Sequence, residues 1–148
     1  MVHVLLGAFI GLNSESVFLV AVVAVLSHFL LDMIPHWDGH FDHGYFKKTF
    51  VANIDKRMIL ITTTDVLLAF LIAYLLYVEF SSGLVAFGAL AAMLPDVIKL
   101  GYFTRLMRKR RYRKYLLFHS RIQKETGWKF GLLTQAITAV ILLRLLFL

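Results

Sequence analysis

The sequence predicts an all-α protein, a polytopic helical membrane bundle with about four spanning helices and a short N-terminal helix that forms one arm of a hairpin. Of its 148 residues, 59% are hydrophobic and 17% are charged, whereas soluble domains have about 45–50% and about 25%. A chain of this size has too little interior to bury so much apolar surface in water. The apolar segments are also long and continuous and do not alternate with a period of two, which favours helices over strands.

Five apolar segments run through the chain, and we expect them to form one integral membrane domain, residues 1–148. The first segment, residues 2–12, is too short to cross a bilayer alone, because a spanning helix needs about 20 residues. It is expected to be an arm of a helical hairpin, with a helix on the membrane surface as the alternative. The other four are long enough, and they are residues 15–34, 58–78, 83–103 and 128–148.

Residues with strong backbone preferences mark the ends of these segments. Ser14 is well placed to cap the N-terminus of the first span, and Pro35 fits its C-terminal end. Pro95 interrupts the third span, so the helix either kinks there or a new helix begins with Pro95 in its first turn.

Lysine and arginine are concentrated in two connections, residues 47–57 and 104–127. The connections at residues 13–16 and 79–82 contain neither. By the positive-inside rule, both basic connections and the N-terminus lie in the cytoplasm. We expect the basic cytoplasmic loop at about residues 104–127 to bind anionic phospholipid headgroups at the bilayer surface. A nucleic-acid partner is not expected.

Ionisable residues also lie within the apolar segments, where a charged side chain costs about 2.5–3.5 kcal/mol on insertion scales and usually marks a functional site. Asp32, Asp65 and Asp96 all fall in the cytoplasmic half of their spans, as do His3 and His28. A divalent metal ion would remove the repulsion between such carboxylates. The chain has no cysteine, so the ligands would be His, Asp or Glu, which suit zinc, manganese or magnesium.

The spacing of His28 and Asp32 places both on one face of a helix. His36 would follow on that face if the helix continued beyond Pro35. The predicted metal ligands are therefore His3, His28, Asp32, His36, Asp65 and Asp96. The alternative is a polar helix end that is hydrogen-bonded to backbone or water.

Other histidines and aspartates have less support as ligands. His119 is predicted as the catalytic residue that moves a proton, although it could also be a ligand or a surface residue. Gln123 lies one turn later and would face the same site. Asp38 adjoins the end of the helix and could complete a coordination shell. The loop residues His40, Asp42 and His43 are weaker candidates, because loop histidines are commonly only solvated.

Four short stretches, "HVLLGAFIG", "HFLLDMIPH", "LPD" and "FHS", resemble the small bacterial and archaeal membrane-bound metal-dependent hydrolases. The resemblance implies that His3, Asp96 and His119 are site residues, with the His28 and Asp32 pair added, and that the protein lies in a prokaryotic plasma membrane. Two departures stand out. The fuller family pattern resembles "LPDxDH", where this chain has "LPDVIK", and the later motif often resembles "HRxxTHS", where only "FHS" is present.

The predicted function is a membrane-embedded, metal-dependent hydrolase that acts on phosphoesters of lipid or lipid-linked substrates near the cytoplasmic face. One alternative is a small cation or proton transporter that uses intramembrane carboxylates. Another is a non-catalytic membrane scaffold in which polar residues hold helices together. An oligomer is compatible with each of these functions.

Overall fold

The computed structural model describes residues 1–37, 43–50 and 54–148, including all side chains in these ranges except those of residues 43 and 44. This part of the chain contains two short 3-10 helices, Leu100–Phe103 and Arg105–Arg108, and no β-strand. The prediction of an all-α helical bundle is confirmed. The α-helices are α1 Val2–Leu12, α2 Val17–Asp32, α3 His43–Thr49, α4 Lys56–Phe80, α5 Gly83–Lys99, α6 Arg110–Ile122 and α7 Trp128–Leu146.

Three helices in the described part of the chain are long and apolar enough to cross a membrane. They are Lys56–Phe80, Gly83–Phe103, which joins α5 to the first 3-10 helix, and Trp128–Leu146. The fourth predicted span, residues 15–34, is the shorter α2 of 16 residues. At 1.5 Å per residue it is about 24 Å long, which is less than the roughly 30 Å of a bilayer's hydrocarbon core.

The ends of α2 explain its length. The hydroxyl oxygen of Ser16 accepts a hydrogen bond from the Leu19 amide at 3.3 Å, so Ser16 is the N-cap. The prediction that Ser14 would be the cap is therefore wrong, and Ser14 instead accepts a bond from the Ser16 amide. The helix ends at Asp32, shortly before Pro35, because the residue before a proline disfavours helical geometry.

The short helix α1 lies inside the bundle and packs against α2, α4, α5 and α7. Its backbone approaches α5 closely at Gly7 and Gly88. A Cβ atom built on either of these two glycines would overlap the carbonyl oxygen of the other. Gly11 is similarly close to the backbone of Leu84. Small residues four apart, as in this Gly7–Gly11 pair, are typical of tightly packed membrane helices.

The apolar core surrounds α1, while the outer faces of the helices remain apolar and exposed. The buried core residues are Val4, Leu5, Ala8, Ala69, Ala73, Leu76, Val85, Ala89, Ala139, Leu142 and Leu146. Large exposed side chains include Phe18, Leu30, Leu67 and Leu133. Continuous exposed apolar surface of this kind marks a membrane or protein contact, which agrees with the three candidate spans.

The basic connection folds over one end of the bundle as α6. One face of α6 is buried through Tyr112, Leu116, His119 and Ser120, and its exposed positions include Arg110, Arg111, Arg113 and Lys114. The Tyr112 hydroxyl donates to the carbonyl oxygens of Ile98 and Lys99, at 2.9 and 3.1 Å. This contact fixes α6 to the C-terminal end of α5.

The segment after α6 is also tied to the end of α2. The Lys124 amide donates to the Asp32 carbonyl oxygen at 2.9 Å, and the His36 amide donates to the Lys124 carbonyl oxygen at 3.0 Å. The Thr126 amide in turn donates to the His36 carbonyl oxygen at 3.0 Å. These bonds hold the C-terminus of α6 beside the last turn of α2.

Candidate metal centre

Five side chains from four helices meet at this end of the bundle. Their ligand atoms form two overlapping groups in which all atoms lie within 4.8 Å of one another: His3, His28 and Asp32 in one, and His28, Asp96 and His119 in the other. The structure therefore brings together four of the six predicted ligands and adds His119. We call these five residues the His/Asp centre.

His28 contributes the nitrogen shared by both groups. Its Nδ1 atom donates a hydrogen bond to the carbonyl oxygen of Ala92 on α5 at 2.8 Å. In a neutral ring this leaves the lone pair on Nε2. That Nε2 atom lies 3.4 Å from Oδ2 of Asp32 and 3.6 Å from Oδ1 of Asp96.

Asp32 lies at the middle of the centre and is only 1% exposed. Its Oδ1 atom is 3.4 Å from Nε2 of His3, while Oδ2 is 2.7 Å from Nε2 of His119. A buried carboxylate is strongly unfavourable unless it is paired or bound to a metal ion. Asp32 is the last residue of α2, and its carboxylate contacts ring nitrogens from three histidines. It is therefore the residue that links the histidines of the centre.

His119 is oriented by Tyr115, which lies one turn earlier on α6. The Tyr115 hydroxyl donates to the Pro95 carbonyl oxygen at 2.6 Å and lies 3.4 Å from Nδ1 of His119. Burial raises the pKa of Tyr115 to about 12, so the hydroxyl keeps its proton at neutral pH. Burial also lowers the pKa of His119, which favours the neutral ring that a metal ion requires.

Asp96 closes the centre at its exposed side. It follows Pro95 within α5, which continues to Lys99, so the helix does not begin at Pro95. Oδ1 of Asp96 lies 3.8 Å from Nε2 of His119 and 2.6 Å from Nζ of Lys99. The Asp96 side chain is 46% exposed. Of the five residues, Asp96 is the most exposed, so the centre is accessible from its side.

His3 packs on the other side of His28. The two rings stack with centroids 4.1 Å apart and planes at 24°. Nε2 of His3 faces Asp32, while its Nδ1 atom is buried and has no hydrogen-bond partner among the described residues. A buried polar atom without a partner is costly. A proton or a ligand that binds Nδ1 of His3 would remove this cost.

The spacing of the donor atoms around Nε2 of His28 fits a divalent metal ion. Zinc–nitrogen bonds of about 2.0–2.1 Å in a tetrahedron place neighbouring ligand atoms about 3.3–3.4 Å apart. The Nε2 atoms of His28 and His119 are 3.3 Å apart, and the contacts from His28 to Asp32 and Asp96 are 3.4 and 3.6 Å. Two imidazoles with two carboxylates also suit the borderline ions expected from the sequence.

Two predicted ligands are not brought to the centre. Each carboxylate oxygen of Asp65 lies 3.2 Å from the main-chain nitrogen of Met1, and the side chain is 58% exposed. The His36 ring donates from Nδ1 to the Ile34 carbonyl oxygen at 2.8 Å and contacts the Gln123 amide through Nε2 at 3.3 Å. His36 and Gln123 thus fasten the segment after α2, and the side chain of Gln123, expected to face the same site as His119, contacts His36.

The loop candidates cannot be placed in the centre. Asp38, His40 and Asp42 lie outside the described residues, and so does the side chain of His43.

Tyr115→Phe provides a test of how His119 is oriented. Removing the hydroxyl frees both the His119 ring and the Pro95 carbonyl oxygen, while the apolar ring remains. We expect metal affinity to fall by about 10–100-fold, as is usual when a group that orients a histidine ligand is lost. Competition with a chelator measures this change. Tyr74→Phe, the same change at an exposed position of α4, is the matched control and should leave metal affinity within about threefold of the unchanged protein, since Tyr74 lies outside the His/Asp centre. Equal affinities in the two variants would contradict the role of Tyr115.

Comparisons with protein-family models, with curated proteins and with solved structures found no match to this chain. The resemblance to membrane-bound metal-dependent hydrolases therefore stays an interpretation of short sequence motifs. What the structure adds is geometric: His and Asp groups that could hold a metal ion, at one end of an all-α bundle.

Proposed function

We propose that this protein is a membrane-embedded, metal-dependent hydrolase of phosphoesters in lipid or lipid-linked substrates. The observation that supports it best is the convergence of the His/Asp centre from α1, α2, α5 and α6. A cluster of two carboxylates and three imidazoles in which all but Asp96 are largely buried is costly as a mere packing element. A bound divalent ion would supply a water of lowered pKa and would polarise a phosphoryl oxygen.

The proposed roles follow from burial and contacts. His28, Asp32 and His119 hold the ion from the buried side, and Asp96 binds it from the exposed side. The carbonyl oxygen of Ala92 orients the His28 ring and the Tyr115 hydroxyl orients the His119 ring, so the ligand nitrogens need little reorganisation. This assignment makes His119 a metal ligand, in place of the proton-transfer role predicted from the sequence.

His3 is the residue that we assign to proton transfer. Its ring contacts Asp32 through Nε2 and retains an unpartnered Nδ1 atom. In the reaction, the oxygen of a water molecule bonds to phosphorus and the bond from phosphorus to the leaving alcohol oxygen breaks. His3 accepts one proton from the water, and the protonated His3 then donates that proton to the leaving alcohol oxygen.

Location also favours an anionic lipid substrate. The centre lies where α5 meets α6, and exposed arginines and lysines on α6 occupy the same end of the bundle. Such residues near a bilayer surface attract anionic headgroups by about 1 kcal/mol each. By the positive-inside rule this end faces the cytoplasm, so the substrate would enter from that leaflet of the membrane.

Hydrolysis of a phosphomonoester tests the proposal. Purified protein in lipid nanodiscs is stripped with a chelator, reloaded with zinc, manganese or magnesium, and assayed with phosphatidic acid and p-nitrophenyl phosphate. We expect phosphate release only after reloading, with a rate at least about 100-fold above the stripped protein, as metal-assisted hydrolysis requires. Asp65→Asn should retain this activity. Metal uptake without release from either substrate, together with cation entry into liposomes, would instead support the transporter alternative.

A further inference from the structure

The exposed side of the His/Asp centre carries a positive charge that the proposed metal ligation does not use. Nζ of Lys99 lies 2.6 Å from Oδ1 of Asp96. The same oxygen faces Nε2 of His28 at 3.6 Å and Nε2 of His119 at 3.8 Å. One carboxylate oxygen is therefore placed between an ammonium group and the position where a metal ion would bind.

The two cations would compete for this oxygen. A divalent ion bound between His28 and His119 would attract the Asp96 carboxylate. It would also repel the Lys99 ammonium group at a distance of a few ångströms. Lysine has a flexible four-carbon stem and a compact charge, so it can move while the backbone of α5 stays in place. Exposure makes room for this movement, because the Lys99 side chain is 34% exposed.

The same side of the centre is where an incoming substrate would reach the ion. His28, Asp32 and His119 are almost fully buried, whereas Asp96 is half-exposed and Lys99 partly exposed. A phosphoryl group carries negative charge on several oxygens. One of them can therefore lie on the ion while another accepts a charge-assisted hydrogen bond from an ammonium group.

We propose that Lys99 binds the anionic phosphoryl group of the substrate, and that metal binding favours this role by weakening the ion pair between Lys99 and Oδ1 of Asp96. This inference rests on the proposed function and names a specificity residue for it. A lysine and an aspartate three residues apart also form ordinary helix ion pairs. Such a pair would add slightly to stability and would have no effect on anion binding.

Inorganic phosphate is the probe that separates the two roles. Lys99→Gln, Lys99→Arg and the control Lys114→Gln, on the exposed face of α6, are compared with the unchanged protein in nanodiscs of neutral lipid. Zinc affinity is measured by chelator competition and phosphate affinity by calorimetry on the zinc-loaded protein. Phosphomonoester hydrolysis gives KM and kcat for each variant.

Loss of the Lys99 ammonium group should affect the affinity for zinc and the affinity for phosphate differently. We expect Lys99→Gln to bind zinc at least as tightly as the unchanged protein, because a competing cation is gone. It should bind phosphate at least about tenfold more weakly, the effect of one lost charge-assisted hydrogen bond, with a similar rise in KM. Lys99→Arg should recover most of the phosphate affinity, and Lys114→Gln should match the unchanged protein.

Unchanged phosphate affinity in zinc-loaded Lys99→Gln would overturn the role of Lys99 and leave the proposed hydrolase intact. Equal phosphate binding with and without zinc would overturn the idea that the ion weakens the pairing of Lys99 with Asp96. Failure of the unchanged protein to take up zinc would overturn the proposed function itself, and with it this inference.

Discussion

Replacing Asp32 by asparagine should abolish metal binding. Asp32 is buried and faces the Nε2 atoms of His3, His28 and His119 at 3.4, 3.4 and 2.7 Å. Asparagine keeps the shape of the side chain but removes the charge that balances a divalent ion. Since loss of even one orienting partner costs about 10–100-fold in affinity, we expect a greater loss here, with bound metal below about a tenth of an equivalent. Elemental analysis after gel filtration measures it.

Asp65→Asn is the matched control for this experiment. It makes the same chemical change in another apolar helix, at a carboxylate that contacts the main-chain nitrogen of Met1 and lies outside the His/Asp centre. We expect its metal content to equal that of the unchanged protein. Circular dichroism and gel filtration show whether Asp32→Asn remains folded. A folded Asp32→Asn protein with a full equivalent of metal would contradict the proposed centre.

Replacing Gly7 by alanine should destabilise the bundle strongly. The added methyl group would overlap the carbonyl oxygen of Gly88, which is backbone and cannot turn away as a side chain would. α1 would have to move from α5, and overpacking of this kind costs about 1–3 kcal/mol, occasionally more. Because α1 carries His3 and packs against α2 and α7 as well, the shift would also loosen the centre.

Gly83→Ala is the matched control for Gly7→Ala. Gly83 begins α5, and a Cβ atom built there has nothing within 4 Å. Alanine has the higher helix propensity, so this variant should be neutral or slightly more stable. Thermal unfolding in detergent, followed by circular dichroism, compares the two variants. The close approach of α1 and α5 would be refuted by a Gly7→Ala melting temperature equal to that of Gly83→Ala.

The helices could be predicted from the sequence because their signals are local. Long apolar runs gave the positions of α4, α5 and α7, and the four-residue spacing of His28 and Asp32 gave their common face. The ends of α2 were less predictable. Ser14 and Ser16 are both suitable caps, and only the bond from the Leu19 amide to Ser16 shows which one starts the helix.

The ligand set could be predicted only in part, because depth in a membrane does not give direction around a helix. Asp65 was predicted to lie at a depth similar to that of the other candidates, yet its helix turns it toward Met1. His36 has the right spacing from Asp32, but the helix ends at Asp32 and removes the periodicity on which that prediction depended.

Tyr115 and Lys99 were missed although local signals existed. Tyr115 precedes His119 by one turn, and Lys99 follows Asp96 by three residues, so each pair shares a helix face. Their importance depends on long-range packing, because α6 must lie against the end of α5 before Tyr115 can reach Pro95. That arrangement is set by contacts such as Tyr112 with Ile98, for which the sequence has no periodic signal.

X-ray absorption spectroscopy on the zinc-loaded protein tests the central claim most directly. The His/Asp centre predicts at least two imidazole nitrogens at about 2.0–2.1 Å from the ion, with carboxylate oxygens at about 2.0–2.2 Å. His119→Ala should reduce the imidazole signal, and Asp65→Asn should leave the spectrum unchanged. A zinc ion surrounded only by oxygen atoms, or a spectrum that changes with Asp65 and not with His119, would contradict the centre described here.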